Sequence, residues 1–142
     1  MIKKIHNFIN LSLHRKYLLL LTFGLSFYSF LLMDFFEKYA RFGNRNSFEN
    51  PEITNYKSQI TNDIRWAIFV VNKNVPWTNV CRHQAYQAKI LCSLYKIPYQ
   101  IFVGFKKSDG GKIEGHAWTV VGAQMITGFC NPDEYVIQNI FS

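Results

Sequence analysis

Cys81 and His116 are the residues whose type and setting are suited to acyl-transfer chemistry. Thr78, an expected N-cap, precedes Cys81 by three residues, which predicts that the cysteine lies in the first turn of a helix over residues 79–95. The free N–H groups and positive dipole end of a helix start favour a thiolate over a thiol. His116 follows 35 residues later in GHAWTVV, a predicted strand. This pairing is typical of a thiol nucleophile and its general base, with the helix-start N–H groups as an oxyanion hole.

A structural interpretation of the same residues stays open. Free cysteine usually packs as a small hydrophobic residue, and a histidine on a strand can serve a structural hydrogen bond. Cys92, in mid-helix, and Cys130, in a loop, are interpreted as packing residues. Three cysteines without a C-x-x-C pair favour neither a disulfide framework nor a metal site, and a free thiol suits a reducing cytoplasm.

The sequence predicts that the elements that must position Cys81 and His116 are helices in the first part of the chain and strands in the second. Apolar residues at three- and four-residue steps predict a helix over residues 56–72, and Pro76 and Pro98 bound the helix that carries Cys81. Alternating apolar residues then predict an antiparallel sheet, with SDGG as a hairpin turn. The expected strands are residues 99–106, 112–121, 124–127 and 134–141. The fold class predicted is therefore α+β.

The N-terminal segment is both the most apolar and the most basic part of the chain. Residues 17–33 form an uncharged run of seventeen, at the lower limit for a membrane span. Residues 1–46 carry seven Lys or Arg against two acids, so they contribute +5 of the net charge of +7. We favour a buried core helix over a true span, with association with a membrane surface as the third alternative. The basic residues are not interleaved along a polar face, which argues against nucleic-acid binding.

Length and composition limit the architecture. With 142 residues, of which 49% are hydrophobic and 18% charged, the chain is expected to be one globular domain over residues 1–142. Within it we distinguish a basic hydrophobic helical segment, residues 1–46, from a catalytic core over residues 54–142.

The run VPWTNVCRHQAYQAKILCSLYKIPYQIFVGFKK, followed by KIEGHAWTVVGAQMITG, resembles the stand-alone leader peptidases of lasso-peptide biosynthesis. These belong to the transglutaminase-like, papain-related superfamily. The shared features are Pro76-Trp77 before the nucleophile Cys81, the Ile97-Pro98 step after its helix, and His116-Ala117-Trp118 on the strand. The resemblance implies a transglutaminase-like cysteine protease fold with Cys81 and His116 as the catalytic residues.

The function implied by the resemblance is removal of the leader peptide from a ribosomally made lasso precursor. A separate ATP-dependent cyclase would then close the macrolactam on the freed core N-terminus. Residues 1–74 lack a strand-rich start, so the resemblance further implies a separate leader-recognition protein. No cofactor is expected, and the implied location is the cytoplasm, with the N-terminal helix as a means of membrane association.

One departure from the family pattern concerns the residue that orients the histidine. Family members often carry an aspartate about a dozen residues after it, where this chain has Gly128. Asn131, Thr127 or a backbone carbonyl are alternatives, and Asp133 is the nearest acid.

Around the pair, Trp77 and Trp118 could wall a substrate groove or pack in the core, and Gly115 would let a peptide approach the strand. Two other function classes stay open: a non-catalytic peptide-binding scaffold on the same fold, and a small membrane-associated protein.

Overall fold

The computed structural model describes residues 10–35, 42–44 and 55–142. In these parts of the chain, three α-helices precede a four-stranded antiparallel sheet, so the predicted α+β class is confirmed. The helices are α1 (Leu13–Phe35), α2 (Asn55–Asn72) and α3 (Cys81–Leu94). The strands are β1 (Gln100–Lys107), β2 (Ile113–Val121), β3 (Gln124–Thr127) and β4 (Val136–Phe141), with a 3-10 turn at Pro132–Glu134.

The start of α3 differs from the prediction. The helix begins at Cys81 rather than at Asn79, and Val80 is its N-cap. The reason is the imidazole of His83, whose Nδ1 accepts a 3.2 Å hydrogen bond from the Val80 N–H group, as the third residue of a capping box does. Asn79 lies outside the helix and accepts a 2.7 Å hydrogen bond on Oδ1 from Gln87. Cys81 is therefore the first helical residue.

The sheet has the strand order β3-β2-β1-β4. The predicted hairpin joins β1 to β2, and its turn is closed by a 2.9 Å bond from the Ser108 N–H group to the Lys112 carbonyl. The register pairs Gly104 on β1 with His116 on β2. The pairing of β1 with β4 changes register between Val103 and Gly104, next to the position that faces His116. His116 thus lies in the middle of the sheet.

The main core lies between the helices and one face of the sheet. Its buried residues come from all three helices and from β2, β3 and the α3–β1 connection, and include Leu18, Ile60, Ile64, Ala67, Ile68, Ala88, Leu91, Cys92, Ile97, Val121 and Ile126. A smaller cluster of Ala85, Ile101 and Ala117 packs against Cys81. This second cluster holds the N-terminal end of α3 against β1 and β2, and so fixes the position of Cys81 relative to β2, which carries His116.

Helix α1 is buried on one face only. Its inward residues are Leu18, Thr22, Ser26, Ser29 and Met33, and many of its larger apolar side chains are exposed. The expectation of a buried core helix therefore holds only for this inward face. The length and composition of α1 would also allow it to cross a membrane. Core helices of soluble proteins and signal sequences meet the same criterion. Of the segment 1–46, only residues 10–35 and 42–44 lie within the described part of the chain.

Candidate active site

Cys81 and His116 line the same cleft, which has a volume of about 740 Å³. Both side chains are partly exposed. The walls come from the α2 face, the start of α3 and the loop after β3, and the other lining residues are Arg65, Ile68, Phe69, Asn72, Thr78, Asn79, Val80, Gln84, Ile126, Gly128 and Phe129. The structure thus brings together the two residues that the sequence predicted to act as a pair.

Cys81 occupies the first position of α3. The first N–H groups of a helix have no partner within it, and together they form the positive end of the helix dipole. The intrahelical ladder begins with the Gln84 N–H group, which donates to the Val80 carbonyl at 3.1 Å. A negative charge on the thiolate, or on an oxyanion formed beside it, is therefore stabilised at this end of the helix.

The imidazole of His116 is oriented by the main chain. Its Nε2 lies 2.9 Å from the carbonyl oxygen of Gly128. A carbonyl can only accept a hydrogen bond, so Nε2 carries the proton and Nδ1 carries the lone pair in the neutral ring. Nδ1 is then the atom that can take a proton from a nucleophile.

Gly128 can present this carbonyl because it is glycine. Its φ is +64°, in the left-handed region that other residues rarely adopt. A Cβ added here would overlap the Ala117 carbonyl oxygen and lie 2.9 Å from the Trp118 Cα. The loop therefore approaches β2 more closely than any side chain allows, and this close approach brings the carbonyl to His116.

The imidazole also lies against aromatic rings. Its centroid is 5.3 Å from that of Tyr135 and 6.2 Å from that of Trp118, with both rings close to parallel to it. Gly104, opposite His116 in the register, leaves room for this stack, since a Cβ there would lie 2.8 Å from the Val136 carbonyl oxygen and 3.4 Å from Trp118 and Tyr135. Lys106 covers Tyr135 from outside, with its Nζ 5.0 Å from the ring.

The side chains predicted as alternative orienting groups have other partners. Thr127 donates to the Thr119 hydroxyl at 3.0 Å, inside the sheet. Asn131 accepts from the Asp133 N–H group at 3.3 Å and caps the short 3-10 turn. Asp133 itself is exposed on that turn. Of the alternatives considered from the sequence, the backbone carbonyl is the one that contacts His116.

The expected groove residues have different surroundings. Trp77 packs edge-on against Phe23 and Phe27 of α1, with centroids 5.4 and 5.2 Å away. Trp118 is buried and stacks on Phe102 as well as on His116, so it supports the imidazole from the core side. Gly115 is exposed beside His116, with open space where a Cβ would lie.

The three thiols differ in their surroundings. Cys92 is fully buried in the main core, and burial raises its pKa to about 12. Burial also raises the pKa of Cys130, with the charge of Glu134 acting in the same direction and that of Lys106 against it. Cys130 is only partly buried. Cys81 is the thiol at the helix start and in the cleft.

An ionic contact behind Cys81 was not anticipated from the sequence. Asp34, at the end of α1, accepts a 2.8 Å hydrogen bond from Arg82 and lies 3.5 Å from Nε2 of His83. His83 is completely buried, and its burial lowers the pKa of the imidazole despite the nearby Asp34. His83 thus accepts from the N-cap residue of α3, and Asp34 ties the start of α3 to α1. Asp34 and Arg82 are 48 positions apart in the sequence, which explains why no local pattern revealed this contact.

Within residues 10–35, 42–44 and 55–142, no group of three His, Cys, Asp or Glu side chains is placed to hold a metal ion. The chemistry that the described residues support is acyl transfer through Cys81 and His116.

Comparison with known families gives a match. The family model of the transglutaminase-like superfamily matches residues 32–138, which include all of α3 and both candidate catalytic residues. Neither the curated proteins nor the solved structures gave a significant match.

Proposed function

Since the chain belongs to the transglutaminase-like superfamily, we propose that it is a cysteine peptidase, with Cys81 as nucleophile and His116 as general base. The observation that carries the proposal is the orientation of His116. With Nε2–H donating to Gly128, Nδ1 keeps the basic lone pair, and His116 and Cys81 line the same cleft. A scaffold that only bound peptides would have no need of this arrangement.

The proposed reaction has two acyl-transfer steps. Nδ1 of His116 takes the Cys81 proton, and the sulfur attacks the scissile carbonyl, whose oxyanion is stabilised by N–H groups at the start of α3. The imidazolium then gives its proton to the leaving amine, and a thioester remains on Cys81. A water molecule, deprotonated by Nδ1, adds to the thioester; the C–S bond then breaks, the acid product leaves, and the Cys81 thiolate takes the proton back from the imidazolium.

Gly128 contributes in both steps. The imidazolium ion that forms after each proton transfer keeps its Nε2–H bond to the Gly128 carbonyl. A hydrogen bond to a charged donor is stronger than one to a neutral donor, so the carbonyl stabilises the ion as well as the tautomer. This is the role that a carboxylate plays in other Cys-His and Ser-His sites.

For the substrate, we propose the leader peptide of a ribosomally made lasso-peptide precursor. The support is the order and spacing of Pro76-Trp77, Cys81 and His116-Ala117-Trp118 within the matched superfamily region. Cleavage would free the core N-terminus for a separate ATP-dependent cyclase, and a separate leader-recognition protein would deliver the precursor. No cofactor enters the proposed reaction, and its location would be the cytoplasm.

The test is cleavage of the precursor by the purified chain in the presence of its leader-recognition protein, followed by mass spectrometry. Cleavage into leader and core is expected for the wild type, and loss of both products for Cys81→Ala and His116→Gln. Cys130→Ala is the matched control, since it removes a partly exposed thiol near the cleft but not from the helix start. Equal cleavage by wild type and Cys81→Ala would refute the mechanism. Precursor binding without cleavage by the wild type would favour the scaffold alternative.

A further inference from the structure

The outward face of α1 is a continuous apolar stripe. Its members recur at three- and four-residue steps along the whole helix, and they are Leu13, Tyr17, Leu20, Gly24, Phe27, Leu31 and Phe35. Leu20 is 65% exposed and Phe35 is 68% exposed. We call this set the α1 stripe. The helix of a soluble domain normally presents polar residues on this side.

The inward face of α1 is its more polar side. Thr22, Ser26 and Ser29 are fully buried against the domain. Their hydroxyl groups donate to carbonyls of α1 itself, at 2.7, 2.8 and 3.0 Å. Small hydroxylated residues at a helix–helix contact, with large apolar residues on the opposite side, are typical of a helix whose surroundings are lipid.

A groove between α1 and α2 extends the apolar surface. Its volume is about 750 Å³, and its lining is mostly apolar: Leu11, Leu19, Leu20, Phe23, Trp66, Val70, Val71 and Val75, with Lys73 and Asn74 at its end. Leu20 belongs to both the groove and the α1 stripe. The exposed apolar surface is therefore wider than one helix face.

Positive charge accompanies this surface. In the sequence, residues 1–46 carry a net charge of +5 and Lys16 directly precedes the uncharged run of α1, whereas Arg15 is paired with Asp63 at 2.7 Å. Lys73 adds a cation at the end of the groove. Basic groups next to an apolar face match a bilayer surface that contains anionic lipids, because the headgroups and the acyl chains are then contacted together.

We propose that the α1 stripe binds the surface of an anionic membrane, with α1 lying parallel to the bilayer plane. A spanning orientation would separate α1 from the domain, and the contacts along its length oppose this. Ser29 accepts a 3.0 Å hydrogen bond from the buried Gln87 of α3, and Asp34 binds Arg82 at the α3 start. Parallel binding keeps these contacts and leaves the inward face buried.

The test is flotation of the full-length chain with two kinds of vesicle, one of phosphatidylcholine alone and one with equal phosphatidylglycerol. Binding to the anionic vesicles is expected, weakened by salt. The double variant Leu13→Gln, Leu20→Gln, whose side chains are 83% and 65% exposed, is expected to bind at least about tenfold more weakly, since two large apolar contacts with the acyl region are lost. Ile113→Gln, which changes an exposed apolar residue at the β hairpin, is the matched control and should bind as the wild type does.

Two further measurements on the same proteins serve as controls for folding and for contact with the bilayer. Thermal unfolding should be similar for wild type and variants because the changed side chains are exposed. Bromine-labelled acyl chains should quench fluorescence from Trp77, which packs on Phe27, in the wild type and not in the double variant. Absence of binding to anionic vesicles by a folded wild type would overturn the proposal. If the stripe instead joined two copies, the wild type would be a dimer that ignores vesicles and the double variant a monomer.

Discussion

The Nε2–H group of His116 donates a 2.9 Å hydrogen bond to the main-chain carbonyl of Gly128. The resembled peptidases often place an aspartate at this point of the chain, so a peptide carbonyl occupies the place of a carboxylate. A carbonyl is a weaker partner for an imidazolium ion than a carboxylate is. In return it cannot rotate, because Gly128 is held against Ala117 and Trp118 of β2.

An aspartate at position 128 should not improve the proposed cleavage. A residue with a Cβ in the left-handed conformation costs roughly 1–2 kcal/mol, and the overlap with Ala117 adds to this cost. We therefore expect Gly128→Asp and Gly128→Ala each to lower the free energy of unfolding by at least that much and to abolish most cleavage. Urea unfolding and precursor cleavage measure the two effects. Gly110→Ala is the control, since it meets no atom within 4 Å and should change neither.

Tyr135 should matter for its ring rather than for its hydroxyl. A stacked aromatic pair contributes about 0.5–1.5 kcal/mol, which corresponds to a roughly two- to tenfold loss of kcat if the imidazole becomes mobile. We expect that loss for Tyr135→Ala and near-normal kcat for Tyr135→Phe, which keeps the stack on His116. Steady-state kinetics with the precursor would measure it. An equal loss of kcat in both variants would show that kcat depends on the hydroxyl group of Tyr135 rather than on its ring.

The stability of the protein should depend on pH through His83. Burial lowers the pKa of its imidazole in the folded state, so the unfolded chain takes up the proton first as the pH falls below about 6.5. The free energy of unfolding should therefore decrease from that pH downward, until the folded pKa is passed. His83→Gln keeps a side-chain acceptor for the Val80 N–H group and removes the titration. Its denaturation midpoint should lack this part of the pH dependence, and an unchanged dependence would assign it to other groups.

The thiols should react with iodoacetamide in a definite order. Cys81 lies at a helix start in an open cleft, whereas Cys92 is buried and has a pKa raised to about 12. We expect one equivalent of reagent at neutral pH to label Cys81 first, with loss of cleavage, and Cys92 to stay unlabelled in the folded protein. Peptide mapping by mass spectrometry gives the order. Preferential labelling of Cys130, whose pKa is also raised by burial, would contradict the assignment.

The order of elements followed from short-range patterns. Apolar spacing predicted α2, the proline positions bounded α3, and strand alternation with the SDGG turn predicted the β1–β2 hairpin. The predicted start of α3 was wrong by two residues because Val80 is the N-cap, and its N–H group is bonded by the imidazole of His83, which lies inside the helix. A side chain that reaches back from the third helical position has no signature as strong as Ser or Thr at the cap itself.

By itself, the sequence determined the α+β class, the two residues with the chemistry for acyl transfer, and the lack of an acid where one was expected, since all three depend on residue types and local spacing. Only the tertiary structure decided that the Gly128 carbonyl orients His116, that Asp34 ties α1 to the catalytic helix, and which face of α1 is exposed. Each of these joins segments distant in the chain or depends on backbone direction. The free energy of such contacts comes from packing in three dimensions, which no local pattern of residues encodes.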